Sequence, residues 1–272
     1  MHKLLLTYMF TGLSVLLSSM ALGQERILHY MSNPVISPQM LEHELDPLKQ
    51  TLKKYGWTLV FKHPKSWREL EQGIKNGEAD ILYTGFPTAT YLINHYQFQP
   101  ILESTLPEQY TLIEKKIPLS LSVAATATNP KKVFIGTSNH SADFYIQTVL
   151  KEKAQAITRI NGDNILIDLL RTKNSQAIID KATFTFLPES LQNKIRILDT
   201  YSYGPIMHIN SPNSPISNKE LERILLDMHQ NWQDPENKYH YLNVFQFRTC
   251  CKSKGWKNDE MQTFIEEVMS KQ

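Results

Sequence analysis

Along most of the chain, short apolar runs rich in β-branched and aromatic residues alternate with stretches whose apolar positions share one helical face. Residues 26–30 (RILHY) predict a first strand, followed by a Pro/Ser/Asn-rich loop. Asp46-Pro47 is a helix start, with Leu48, Leu52 and Tyr55 recurring at helical spacing and Gly56 ending the run. Residues 57–62 (WTLVFK) predict a second strand. Ser66 and Glu69 form a capping box for a helix with Leu70 and Ile74 inward, stopped at Gly77. A strand at 79–83 (ADILY) and a helix from Pro87 through Tyr91, Leu92 and His95 follow. Strand and helix alternating at this spacing imply right-handed crossovers and a largely parallel sheet.

The middle of the chain repeats that logic. Strands are predicted at 132–136, 157–160 and 176–180, and helices through Phe144, Ile146 and Val149 and over 163–170. Residues 112–115 and 195–203 are the expected hinge strands, and 116–131 read as loop. Ser217 and Glu220 form a second capping box before Leu221, Ile224, Leu225 and Met228. A last amphipathic helix is expected over 259–269, with Met261, Phe264, Ile265 and Val268 on its apolar face.

Residues 1–23 stand apart. A weakly basic start, an uncharged apolar run and small residues at Ala21 and Gly23 predict a secretory signal peptide cleaved before Gln24. The run is short for a spanning helix, which needs ~20 apolar residues. No cysteine follows it, which argues against a lipid anchor. The formal charge of +2 argues against a nucleic-acid binder. Cys250 and Cys251 are adjacent and could bridge each other, pair between molecules or stay reduced; alone they make no zinc site. The chain holds no G-x-S-x-G elbow, no H-E-x-x-H and no phosphate-cradling glycine loop, so no enzyme activity, cofactor or metal is expected.

Residues 37–85 resemble the N-terminal lobe of the phosphate/phosphonate-type substrate-binding proteins of ABC transporters. The resemblance rests on Pro47-Leu48, on Gly56, and on Gly77-Glu78-Ala79-Asp80-Ile81 running to Gly85. A second match is GTSNHSADF at 136–144, similar to the family's strand-to-helix turn, and a weaker one is QAIID at 176–180. The resemblance implies an α/β, two-lobed periplasmic-binding-protein type II (Venus flytrap) fold, with two mixed sheets flanked by helices and joined by two hinge strands. Residues 24–107 would begin lobe 1, 108–204 form lobe 2, and 205–272 complete lobe 1.

Ligands in such sheets sit at the carboxyl ends of strands, beside helix N-termini. The turn at 137–143 therefore offers an oxyanion site through Ser138, Asn139, His140 and Ser141, although Ser and Asn are also ordinary N-caps. Tyr83 and Thr84 would stand at the cleft mouth of lobe 1, with Tyr30 ending the first strand. Asp180 could accept an ammonium group. The sequence departs from the family at His140 and Ala142, which replace small hydroxyls, at Asp143, where a glycine is usual, and at Asn161-Gly162, where a His is usual. The resemblance implies a periplasmic solute-binding protein that captures a phosphonate- or phosphate-like ligand by hinge closure for an ABC permease. The alternative is a ligand sensor that signals to a membrane partner, its oxyanion site diverged.

Overall fold

The computed structural model describes residues 25–34, 42–43, 45–116, 132–136, 140–147, 156–160, 164–232 and 246–251, with Thr263 and Glu266. The expected helix over 259–269 falls mostly outside the described residues, as does all but Lys116 of the loop expected over 116–131.

The described chain opens with β1 (Arg26–Met31), α1 (Asp46–Lys54), β2 (Trp57–Lys62), α2 (Trp67–Lys75), β3 (Ile81–Thr84) and α3 (Phe86–Tyr96). Each boundary has a local cause. Pro47 sits in the first turn of α1, and Leu48, Thr51 and Leu52 are its buried face. At α2 the Ser66 hydroxyl accepts the Glu69 N–H at 3.2 Å. Glu69 replies one residue earlier than the box predicts, its Oε2 accepting the Lys65 N–H at 2.8 Å. Gly77 ends that helical segment at φ 70°, a left-handed conformation that costs glycine nothing.

The chain then enters β4 (Gln99–Lys115), and β5 (Lys132–Gly136), α4 (His140–Tyr145), β6 (Ala156–Ile160), α5 (Ile165–Arg171), β7 (Ser175–Asp180), α6 (Lys181–Phe186) and α7 (Glu189–Gln192) follow. It returns along β8 (Ile195–Asn210) to α8 (Asn218–Asn231) and the short β9 (Phe247–Thr249). Ser217 caps α8 as expected, accepting the Glu220 N–H at 3.2 Å. The Glu220 carboxylate turns instead to Arg26 and Trp57, at 2.9 and 3.0 Å, fastening α8 to β1 and β2.

Among the described residues the strands form one nine-stranded sheet in the order β2-β1-β3-β8-β4-β7-β5-β6, with β9 on β4. Pairs β1–β2, β1–β3, β5–β6 and β5–β7 are parallel, as the alternation predicts. The joining strands are longer than expected: β4 and β8 pair antiparallel from Gln99↔Asn210 to Lys115↔Ile195. Their register slips between Glu103 and Pro107 and again between Pro107 and Gln109. Because both strands run unbroken through the slip, two lobe sheets join into one hydrogen-bonded path. Lobe 1 holds one core around Leu28, Leu48, Trp57 and Ile224 and another around Trp67, Leu82, Tyr91 and Met207. Lobe 2 packs Val133, Ile135, Tyr145 and Ile178 on one face of its strands and Phe134, Leu169, Ala177 and Ile195 on the other.

Candidate functional site

Where β4 and β8 slip past each other, carboxylates and aromatic rings from both lobes converge. β3 ends at Thr84-Gly85, and α3 starts at Phe86-Pro87 with no side-chain cap of its own. Its first N–H, on Phe86, donates to Glu108 Oε2 at 3.0 Å. Glu108 comes from β4 and is 7% exposed. The free N–H groups and dipole of a helix start favour an anion, and here the protein supplies one from its own strand. A Cβ at Gly85 would stand 2.5 Å from that oxygen, so a side chain there would push the carboxylate aside. Across the slip, a Cβ on Gly204 would fall inside the Phe86 ring.

Around Glu108 lie Tyr110, Tyr201 and Tyr203. The Tyr203 ring meets Tyr201 at 4.9 Å and Tyr110 at 5.8 Å, both edge-on. From α4, Phe144 approaches Tyr203 at 5.8 Å and Tyr145 approaches Tyr201 at 6.0 Å. The Tyr145 hydroxyl donates to Asp199 Oδ2 at 2.8 Å. Burial, and then the Glu108 charge, push the Tyr203 hydroxyl far above the ordinary phenol range. Burial and the Asp199 carboxylate do the same to Tyr145. Both hydroxyls stay protonated, and that of Tyr145 serves as a donor. Tyr110 faces Asp180 across the β4–β7 ladder and Tyr201 across the β4–β8 ladder, so the three form a row.

Several residues singled out in the sequence make contacts within the fold. Tyr30 is 1% exposed in the core with Leu28, Leu48 and Trp57, where burial raises its hydroxyl above the phenol range. Tyr83 packs against His208 and Phe247, at 5.0 and 6.0 Å. Thr84 is buried and donates to Asn33 Oδ1 at 3.2 Å. Asp80, the acid of the G-x-x-D motif, is structural: its Oδ2 accepts the His29 N–H at 2.7 Å, tying β1 to the start of β3. Asp143 lies against Arg159 of β6 in a two-pronged ion pair, at 2.5 and 3.1 Å, so its charge is answered within lobe 2. Ser138 and Asn139 lie outside the described residues. His140 and Ser141 open α4, and their side chains are likewise outside the description.

Asp180 ends β7, and its Oδ1 accepts the Ala182 N–H at 2.6 Å, capping α6. Burial raises its carboxyl from 3.8 to about 6, against the pull of the Ala182 and Thr183 N–H groups. A raised acid binds its proton more tightly in the folded state. Its contribution to stability is therefore full below 3.8 and is lost as pH rises through about 6. Asp180→Asn keeps a capping oxygen. We expect it to be stabilising at pH 7 and neutral in acid; urea titrations showing the same difference at both pH values would contradict this.

Sequence reading missed Glu108, Tyr145, Asp199 and the pair Tyr201 and Tyr203. A signal was present: Glu108-x-Tyr110 and Tyr201-x-Tyr203 repeat at the strand period, placing each pair on one face of a hinge strand.

No protein-family model matches the chain, and no curated protein does. Solved structures do. A protein from Xanthomonas citri determined with ATP bound superposes at a TM-score of 0.64 with 10% identity, covering 90% of this chain and 98% of that one. A binding-protein component of an ABC phosphonate transporter from Pseudomonas aeruginosa gives 0.62 and 11%, covering 91% and 97%. A protein from Prochlorococcus marinus in complex with methylphosphonate gives 0.63 and 11%, covering 91% and 98%. The fold is thus that of the type II periplasmic binding proteins. The last two structures match over 91% of this chain, at an identity that speaks for fold alone.

Proposed function

We propose that this chain is an exported solute-binding protein that holds a small ligand between its lobes and delivers it to an ABC-type permease. Lobe 1 comprises residues 24–107 and 205–272, and lobe 2 residues 108–204. The observation that carries the reading is the convergence at the β4–β8 slip. Two paired strands link the lobes there, and polar groups of both lobes surround the link.

The ligand is a small zwitterion. The start of α3 already holds the Glu108 carboxylate, and Asp180 and Asp199 stand with the tyrosine rings nearby. Carboxylates set among aromatic rings suit an ammonium group. The oxyanion end belongs at residues 138–141, where the sequence resembles the phosphonate-binding family. The ligand shifts the population toward a closed form.

Thermal-shift titration of residues 24–272 tests this. The panel holds phosphate, phosphite, alkylphosphonates, aminoethylphosphonate, sulfate and amino acids. A zwitterion is expected to stabilise by ~4 kcal/mol at a thousandfold excess over its Kd. Glu108→Gln, which keeps the shape and removes the charge, should weaken that ligand about tenfold or more. Solution scattering should contract when the ligand is added. Silence across the panel would overturn the transport reading; a response to simple oxyanions alone, unchanged in Glu108→Gln, would overturn the zwitterion.

A further inference from the structure

The Glu103 carboxylate is held against two sulfur atoms where β9 ends. β9 lies on β4 with Glu103 opposite Arg248, and pairing continues one step further as the Cys250 N–H donates to the Ile101 carbonyl at 2.9 Å. The chain then turns at Cys251, whose φ is 81°. Both neighbouring cysteine side chains thereby reach Glu103: Cys250 Sγ lies 3.8 Å and Cys251 Sγ 3.1 Å from Oε2. The other oxygen, Oε1, accepts two guanidinium contacts from Arg248 at 2.8 Å. Glu103 is 8% exposed, and one of its two oxygens is aimed at sulfur.

The two cysteines are bonded to each other, and in that state neither sulfur carries a proton. Oε2 then faces sulfur with no donor from that side, an unfavourable place for a buried carboxylate oxygen. Reduction changes this. Two electrons and two protons pass to the disulfide from an external dithiol, which leaves as its own disulfide. The same atoms then become two thiols and a carboxylate, all within 4.8 Å of one another.

We propose that Glu103, Cys250 and Cys251 bind a thiophilic divalent cation of the zinc and cadmium class, and only when the cysteine pair is reduced. Two thiolates and a carboxylate are three ligands that zinc accepts, with water as the fourth. Metal binding sends the two thiol protons to solvent. Arg248 favours the thiolates and completes the charge balance, guanidinium and cation offsetting two thiolates and a carboxylate. Magnesium and calcium, which prefer oxygen ligands, are excluded by the two sulfurs. The site sits on β4 at Glu103, just before the register shift between Glu103 and Pro107, so its occupant would tie β9 to the long strand paired with β8. It is independent of the solute reading.

Cadmium titration of the purified full chain is the test. It is read by sulfur-to-cadmium charge-transfer absorption and by equilibrium dialysis, after reduction with a phosphine and again after reoxidation. One equivalent is expected on the reduced chain and none on the oxidised chain. Cys251→Ser should lose the absorption band. Glu103→Gln should weaken binding at least about tenfold, the lower end seen on losing even an outer-shell partner of a metal site. The oxidised wild-type chain serves as a control that needs no mutation. No binding by the reduced chain, equal binding by the oxidised chain, or unchanged affinity in Glu103→Gln would each overturn the proposal.

Discussion

Truncating Phe144 to alanine is expected to cost about 3–5 kcal/mol in urea unfolding, the range for removing a buried phenylalanine ring. The residue is 1% exposed. It belongs by sequence to α4 of lobe 2, yet it packs in a core cluster with Leu82, Ala89, Tyr91 and Met207 of lobe 1. Its ring also lies 6.2 Å from Tyr201 and 5.8 Å from Tyr203 on the returning strand. The loss therefore combines transfer of the ring to water with a cavity among Leu82, Ala89, Tyr91 and Met207. Ile167→Ala, on the exposed face of α5 at 44% exposure, is the control and should change stability by no more than about 0.5 kcal/mol. A loss below ~1 kcal/mol in Phe144→Ala would mean that α4 does not dock on lobe 1 in the free protein.

Acid should destabilise the protein through a second buried feature, the pair His208 and His229. Their Nε2 atoms are 3.3 Å apart, so one neutral ring donates to the other. Tyr83 and Phe247 close around them, with Phe247 stacked on His229 at 4.3 Å. Burial holds His229 down from 6.5 to about 3. Burial, then the neighbouring His229 charge, holds His208 well below its ordinary value. Both are depressed, so the unfolded chain binds the proton more readily. The stability they confer is full above 6.5 and is lost as pH falls below it, down to about 3 for His229. Each unit of pH in that window costs about 1.4 kcal/mol per histidine. Asp180 and Asp143, both raised by burial, work in the opposite sense, while Glu71, Glu78 and Glu220, all held low, work with the histidines. Unfolding free energy measured from about pH 7.5 to about pH 4.5 should therefore fall steeply, and His208→Phe should flatten the curve. A wild-type curve that is flat or rises toward acid would show that these rings are not buried neutral.

Much of the fold was readable along the chain because its causes are local. The strand at 132–136 and the second strand at 57–62 coincide with the observed β5 and β2, since a short β-branched or aromatic run bounded by turn residues has few other uses. Ser66 and Ser217 cap the helices they were expected to cap. The helices α6 and α7 were not foreseen: they are short, and α7 has no buried residue to impose a helical period. β9 was missed because three residues carry no period, and only β4 beside it makes them a strand.

The site was far less readable. Asp180 was singled out for an ammonium group, but the cap that its Oδ1 gives α6 was not read. Glu108 passed unnoticed, because its meaning depends on Phe86, from which it is separated by 22 positions. The sequence by itself determined most of the longer strands and helices and where two of the caps lie. Periodicity and capping act within a few residues and need no partner. Tertiary structure alone decided that Glu108 answers the start of α3, that Phe144 reaches the lobe 1 core, that two histidines meet inside it, and that Glu103 faces sulfurs 147 and 148 positions away. The physical reason is that side chains so far apart in sequence meet only when strands pair in one register, and that register belongs to the assembled sheet.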